Sequence, residues 1–365
     1  MKFLHLSDLH LGKRVNKKDM KEDQEFVLRQ ILDMAKEVDA VVIAGDVYDK
    51  TVPNEEAVEL FDGFLSELCE LGVCVLIISG NHDSAERLGF GRRIMKNSNV
   101  HICTSYKGEV ECVKVGDVDF YLLPFIKPSL VRRYFDVEIE DYTHMMSLVL
   151  GGIKPEGKSV LVAHQFVTSK NMETERCDSE TISVGGLDNV DSSVFDAFEY
   201  VALGHIHGSQ KLGSDNIRYC GSPLKYSFSE VHHKKSVLLV DMENGLEVVK
   251  KELVPLHDMR EIKGRLSDLT DESVYSVCDT NDYIHATLTD DEELIDPIGR
   301  LRSIYPNIML LDFDNSRTRL SGSASLKSHV ENKSSYELFE EFYQMQNGTQ
   351  MTEEMQNIVK EMLEV

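Results

Sequence analysis

Lys2-Phe3-Leu4-His5-Leu6-Ser7-Asp8-Leu9-His10-Leu11-Gly12 is an apolar strand-like run that ends abruptly in two polar donors, Asp8 and His10. Four further stretches repeat the arrangement. Ala40–Ala44 leads into Gly45-Asp46, Val73–Ser79 into Gly80-Asn81-His82-Asp83, Val160–Ala163 into His164, and Tyr200–Leu203 into Gly204-His205-Ile206-His207. Val41-Val42-Ile43 and Val75-Leu76-Ile77-Ile78 are continuously apolar, as strands are when helices cover both faces of their sheet. Between them, Lys21–Val38 and Pro53–Leu71 carry apolar residues at helical period, and Glu86–Lys96 and Ser192–Phe198 are shorter helical candidates. Pro53 suits a first helical turn. Tyr219–Asp241 returns to strand and turn character. The pattern predicts a layered α/β domain with its polar donors gathered on one rim.

Those donors define a chemistry. A single Asp or His of this kind reads as a satisfied polar or surface group; five such clusters in this order do not. In open α/β sheets the ends of the strands share one rim, where sites form. Carboxylate, amide and imidazole donors suit Mn²⁺, Fe or Zn²⁺. Asp8, His10 and His207 provide for one ion, Asn81, His164 and His205 for a second, and Asp46 for a bridge. For His205 and His207 to converge the chain must turn, which Gly204 permits. Two ions about 3.5–4 Å apart hold a hydroxide, neutralise a phosphate and assist in-line displacement. His82 follows Asn81 and faces substrate without being a ligand, so it reads as the group that stabilises the transition state or protonates the leaving oxygen. Asp83 is placed to orient that imidazole.

The rest of the chain bounds the reading. Its 365 residues suffice for two or three domains, and 42% hydrophobic with 28% charged residues is ordinary for a soluble protein. No apolar stretch approaches the about 18 residues of a membrane span, and Met1–Ser7 enters a strand pattern without a signal-peptide signature. The seven cysteines are scattered without a CxxC pair, which reads as reduced thiols in the cytoplasm and disfavours thiolate-bound zinc. The net charge of −24 argues against tight binding of a polyanion by this chain alone. Residues 241–365 hold 26 acidic and 12 basic residues, so much of the excess lies away from the rim. A partner is expected to supply part of any nucleic-acid surface. Two basic segments are candidates for phosphate: Lys13, Arg14, Lys17 and Lys18, and His232, His233, Lys234 and Lys235.

Composition shifts after residue 245. We expect the α/β domain with the donor rim over 1–245, a small α+β cap over 246–320, a serine-rich linker over 321–335 and a helix pair over 336–365. In the cap, Asp282–Thr289 and Asn307–Phe313 read as strands flanking a helix at Pro297–Ile304. In the tail, Tyr336–Gln346 and Thr352–Leu363 read as amphipathic helices around Asn347-Gly348. Met351, Met355, Ile358, Val359 and Met362 share one face of the second, and methionine adapts well to a partner surface.

The DxH, GD, GNHD, H and GHxH series resembles the calcineurin-like metallophosphoesterases. Phe3–Gly12, Gly45–Asp49, Tyr200–His207 and Gly221-Ser222-Pro223-Leu224-Lys225-Tyr226-Ser227-Phe228-Ser229-Glu230 narrow the resemblance to the SbcD-type nuclease subunits of bacteria. It is strong over 1–240, thinner over 246–330, and returns at Phe339, Phe342 and Tyr343. It implies a metallophosphoesterase sandwich, the ligands named above, two Mn²⁺ ions, and His82 as catalytic. It also implies 3′–5′ double-strand exonuclease and single-strand or hairpin endonuclease activity in DNA repair, recombination and replication. The implied partners are DNA and an SbcC-like coiled-coil ATPase, with two copies of the chain forming a homodimer within a heterotetramer. The helices at Pro53–Leu71 and Glu86–Lys96 are where such families place the homodimer contact. Asp49 stands where archaeal and eukaryotic relatives commonly carry histidine, so no catalytic role transfers to it. Two other readings remain at this point: a stand-alone phosphodiesterase or phosphatase for small nucleotides, and a non-catalytic scaffold of an ATPase. The appended residues 246–365 weigh against the first, and the complete donor set with His82 against the second.

Overall fold

The computed structural model describes residues 1–169, 174–180, 188–316, 318, 336, 339–340, 343–344 and 349–363. They fall into two units, Met1–Asp258 and Met259–Val365. The first is built on two six-stranded sheets. One has the order Glu247–Glu252, Ser236–Asp241, Lys2–Leu6, Ala40–Ala44, Cys74–Ile78, Val100–Cys103. The other runs Gln210–Lys211, Ile217–Tyr219, Tyr200–Gly204, Lys158–His164, Val118–Leu123, Glu111–Val115. In the first sheet the strands that lead into the first three donor clusters run parallel to one another and to Val100–Cys103. The four central strands of the second sheet are parallel as well. Their carboxyl ends therefore lie at a common edge within each sheet.

The apolar strands are buried on both faces, though not by helices on both sides as the sequence suggested. Alternate residues separate into two environments. Phe3, Val42, Leu76, Phe120, Val162 and Ala202 meet between the sheets. Leu4, Val41, Ile43 and Ile77 turn the other way, onto Leu28, Ile31, Phe61 and Phe64 of the helices Lys21–Ala35 and Glu55–Glu70. Behind the second sheet, Leu161, Val201 and Leu203 pack on Met145, Met146 and Val149 of the helix Tyr142–Leu150. The result is an α/β sandwich of helix, sheet, sheet and helix. His5 lies on the inter-sheet side, with its Nδ1 3.0 Å from the Tyr200 hydroxyl and Nε2 3.2 Å from the Leu203 carbonyl. Burial pushes its pKa down to about 3, so it is a neutral core residue.

Local chemistry explains the helix boundaries. The helix expected from Pro53 begins at Glu55 because Asn54 caps it, its side chain accepting from Ala57 N at 2.9 Å. The single helix expected over Glu86–Lys96 is two short ones, Ala85–Leu88 and Arg92–Met95. Gly91, the residue before the second, has φ 72°, a left-handed conformation that a continuous right-handed helix cannot contain. Ser192–Phe195 is a 3₁₀ turn capped by Asp191.

The second unit contains a parallel sheet of Met259–Gly264, Tyr283–Leu288 and Ile308–Phe313. Leu266, Leu269, Leu301 and Tyr305 cover Ile284, Ala286 and Leu288. The helix Pro297–Arg302 lies between the second and third strands in sequence. Met259–Gly264 escaped the sequence reading because only Met259 is buried and the rest is largely charged. The strand Glu247–Glu252 pairs with Ser236–Asp241, so the first unit extends past residue 245 to Asp258. The linker at 321–335 and most of the helix at 336–346 lie outside the described residues. The helix Glu353–Met362 is present, with Met355, Ile358 and Met362 exposed. Among the described residues no helix is long and apolar enough to cross a membrane.

Candidate metal centre

Every predicted donor follows or ends a strand on the shared edge: Asp8 and His10 after Lys2–Leu6, Asp46 after Ala40–Ala44, Asn81 after Cys74–Ile78, His164 at the end of Lys158–His164, and His205 and His207 after Tyr200–Gly204. The chain bends sharply at these points. Asp8, His10, Asp46 and His205 have φ of 53°, 45°, 50° and 106°. Left-handed backbone at non-glycine residues costs about 1–3 kcal/mol each and survives only where the surroundings impose it. Here Asp8 N donates to Gly45 O and His10 N to Asp46 O, both at 3.0 Å, while His205 N lies 3.1 Å from each Asp8 carboxylate oxygen.

The turn expected at Gly204 thus falls on His205. Gly204 serves another purpose, because a Cβ there would sit 2.0 Å from the Ala44 carbonyl oxygen and 2.8 Å from His164 Nδ1. Overpacking against backbone cannot relax by a rotamer change. Gly204→Ala is therefore expected to destabilise the protein by about 3 kcal/mol, measurable by chemical denaturation of the metal-free chain.

The donors converge. His10 Nε2 and His207 Nε2 are 3.1 Å apart, and Asp8 completes that group with ligand atoms all within 4.8 Å. Asn81 Oδ1 lies 2.9 Å from His164 Nε2 and 3.0 Å from His205 Nδ1. Asp46 stands between the two groups, its Oδ2 3.7 Å from His10 Nε2 and 3.4 Å from His164 Nε2. All are buried except the half-buried Asn81.

These residues fit divalent cations on hydrogen-bonding grounds. A neutral imidazole donates from one nitrogen only. His164 Nδ1 faces the Ala44 carbonyl at 2.8 Å, yet its Nε2 faces two more acceptors, Asn81 Oδ1 and Asp46 Oδ2. A second proton or a cation at Nε2 reconciles that arrangement. Burial opposes charge on His164, but the Asp46 and Asp8 carboxylates prevail and raise it to about 9. Burial likewise works against the Asp46 charge, while His164, His10 and His82 hold that carboxyl well below the ordinary range. Burial and the charge on His164 push His205 down to about 3, and burial lowers His10, leaving neutral rings of the kind metals bind. The centre calls for positive charge and supplies oxygen and nitrogen donors without thiolate, a set suited to Mn²⁺, Fe or Zn²⁺.

His82 is half-buried at the edge of this cluster, its ring centroid 4.9 Å from that of His10. Its backbone N donates to Asp46 Oδ1 at 2.9 Å, and its Nδ1 to the Asp49 carbonyl at 2.8 Å. Asp83, expected to orient that ring, is engaged elsewhere. Its Oδ2 accepts from Gly80 N at 2.9 Å and Val47 N at 3.1 Å, and its Oδ1 from Tyr48 N at 3.0 Å. It ties the Gly45-Asp46 loop to the Gly80–Asp83 loop, and burial with the neighbouring Asp46 charge raises its carboxyl to about 6. Orientation of His82 belongs instead to the Asp49 backbone.

The basic residues divide. Lys13 is tied to Asp49 at 2.9 Å, and that carboxylate also approaches His10 Nδ1 at 3.6 Å. Arg14, Lys17 and Lys18 are exposed on a short hairpin. In the other segment Lys235 is buried against Glu230 at 2.5 Å and does not face phosphate, while Lys234 pairs with Glu252 at 3.0 Å. Ser179, Glu180 and Glu230, which the sequence reading left out of the site, surround His207. The signal for Glu230 was the Gly221–Glu230 motif itself, a run that no metal required.

A two-sheet sandwich with clustered donors along its strand ends defines a class of protein. The chain belongs to the calcineurin-like phosphoesterases, whose family model matches residues 1–209. A second model, described as the Type 5 capsule protein repressor C-terminal domain, matches residues 255–347. Over 380 aligned positions the chain is 34% identical to the SbcD subunit of the SbcCD nuclease of Staphylococcus epidermidis. The match covers 100% of this chain and 98% of that protein, and it places the chain in the SbcD family. The solved structure of a cold-active protein-tyrosine phosphatase of a psychrophilic Shewanella is similar over 69% of this chain and 80% of that one. It is 15% identical, with a TM-score of 0.32, and that likeness is too slight to bear on the fold. Family membership makes this an SbcD-like nuclease subunit and a metal-dependent phosphodiester hydrolase that uses divalent ions.

Proposed function

We propose that the chain cuts DNA ends and hairpins as the nuclease subunit of an ATPase complex, with 3′–5′ exonuclease and single-strand endonuclease activity, in repair, recombination and replication. The observation that carries this reading is Asp46 standing between two histidine-bearing donor groups. In it, Asp8, His10 and His207 would hold one Mn²⁺ and Asn81, His164 and His205 the other, with the Asp46 carboxylate serving both groups. Bound there, the ions supply the Lewis-acid charge that activates water and neutralises the phosphate. His82 turns Nε2 to the leaving oxygen, because its Nδ1 proton is committed to the Asp49 carbonyl, and only as the doubly protonated imidazolium does it give that oxygen a proton from Nε2. Arg14, Lys17 and Lys18, beside the rim, meet the DNA backbone.

An SbcC-like ATPase brings most of the DNA surface, which accounts for a nuclease of net charge −24. The exposed Met355, Ile358 and Met362 face of Glu353–Met362 is the docking element for that partner. A second copy of the chain covers Val52, Val58, Phe90 and Ile94, large apolar side chains left in solvent near Glu55–Glu70. All seven cysteines are free, in keeping with a reducing cytoplasm.

The test uses the purified chain with Mn²⁺ on a chromogenic phosphodiester, blunt duplex and hairpin DNA, with and without the ATPase. We expect cleavage of the small ester by the chain alone and ATP-stimulated cleavage of DNA by the complex. A chain lacking residues 335–365 is expected to keep the first activity near its normal rate and to lose both co-purification and ATP stimulation. Failure on DNA with the intact complex would refute the nuclease reading. Co-purification of the truncated chain would refute the docking assignment alone.

A further inference from the structure

The Gly221–Glu230 motif contributes no donor to the proposed metal groups, yet it converges on one of their histidines. Tyr226 packs edge-on against both His10 and His207, at centroid distances of 5.7 and 6.0 Å, and its hydroxyl donates to the Leu9 carbonyl. Ser222 N donates to the His207 carbonyl at 3.2 Å, which Lys235 Nζ also reaches at 2.9 Å. At the end of the motif Glu230 is wholly buried. Its Oε2 pairs with Lys235 at 2.5 Å, and its Oε1 accepts from Ser179 Oγ at 2.6 Å, Ser227 Oγ at 3.0 Å and Tyr226 N at 3.2 Å.

Ser179 is the link. Its Oγ lies 2.7 Å from His207 Nδ1, whereas Glu230 Oε1 is 3.9 Å from that nitrogen, beyond direct hydrogen bonding. A serine hydroxyl has one proton to give. The ionised carboxylate can only accept, so that proton goes to Glu230, and the Ser179 oxygen must accept from His207. The proton of a neutral His207 is thereby held on Nδ1, and the lone pair sits on Nε2, the atom 3.1 Å from His10 Nε2. The adjacent Glu180 Oε1 secures the His207 backbone N at 2.8 Å. Outer partners of this kind set ring orientation and ligand basicity, and their loss typically weakens metal binding about 10- to 100-fold.

We propose that Glu230, acting through Ser179, is a positioning residue that sets the tautomer and orientation of His207 for metal binding. The proposal rests on His207 being a ligand, as read above. Ser179 is the residue to vary, because it is partly exposed and its loss leaves the buried Glu230–Lys235 pair intact.

Mn²⁺ titration by calorimetry, with metal analysis, compares the full-length wild-type chain with Ser179→Ala and Ser179→Thr. Wild type should take up two ions. Ser179→Ala should weaken one of them by about 10- to 100-fold, with an unchanged melting temperature for the metal-free protein, and Ser179→Thr should restore it. The Co²⁺-loaded alanine variant should show a shifted visible absorption band, since the ring is no longer held. If the alanine variant does not fold, Ser179→Val against its isostere Ser179→Thr makes the same comparison. Wild-type affinity and an unchanged Co²⁺ spectrum in the hydroxyl-less variant would overturn the proposal. So would equal weakening by alanine and threonine with a lowered melting temperature, the mark of packing alone. A wild-type chain that binds no ion would overturn the ligand assignment itself, before any variant is compared.

Discussion

Asp46→Asn is expected to lower Mn²⁺-dependent hydrolysis of a small phosphodiester by about a thousandfold, or about 4 kcal/mol in the barrier, and to weaken both ions together. Its carboxylate approaches both histidine sets, His10 on one side and His164 on the other. Asparagine is the informative replacement. It tolerates the left-handed backbone at this position, and its side-chain oxygen can still accept from His82 N, so the two loops stay joined. What disappears is the negative charge that offsets two cations in a buried site. The measurement is metal stoichiometry alongside the rate. Loss of one ion with the other held at wild-type affinity would show that Asp46 is not shared.

His82→Ala is expected to reduce turnover by about 10²- to 10⁴-fold while both ions and DNA affinity remain. The separation is physical. The contact from His82 to Asp46 is made by its backbone N, which alanine keeps, whereas the ring is held from outside the cluster by the Asp49 carbonyl. The ring nonetheless lies near enough to His10 and Asp46 to be a third ligand. Metal analysis separates the two roles: an ion lost from the His82→Ala chain would make the residue a ligand and end its assignment as proton donor. A leaving group of low pKa should partly rescue the variant, because such a group departs without protonation.

The strands that end in donors were legible because the signal is local. Runs such as Ala40–Ala44 and Cys74–Ile78 have no polar residue to present to water, so they must be interior strands. Asp, Asn and His where such runs stop mark the chain's emergence at a rim. That reasoning located Asp8, His10, Asp46, Asn81, His164, His205 and His207 on one edge, and it located His82 beside them. It could not say that the inner strand faces meet a second sheet, since a helix and a sheet bury the same apolar side chain equally well.

What the tertiary structure alone decided is how each polar group is satisfied. Asp83 sits next to His82 in the chain and was expected to serve it, but its oxygens are taken by three backbone N–H groups from loops that only the fold brings together. Lys235 reads with Lys234 as a candidate for phosphate, yet it is buried against Glu230 under the His207 carbonyl. The tautomers of His164, His82 and His207 depend on the Ala44 and Asp49 carbonyls and on Ser179. Apolar periodicity reports burial within one element. A hydrogen bond is directional and short, so its partner is settled only when distant segments are packed to within about 3 Å.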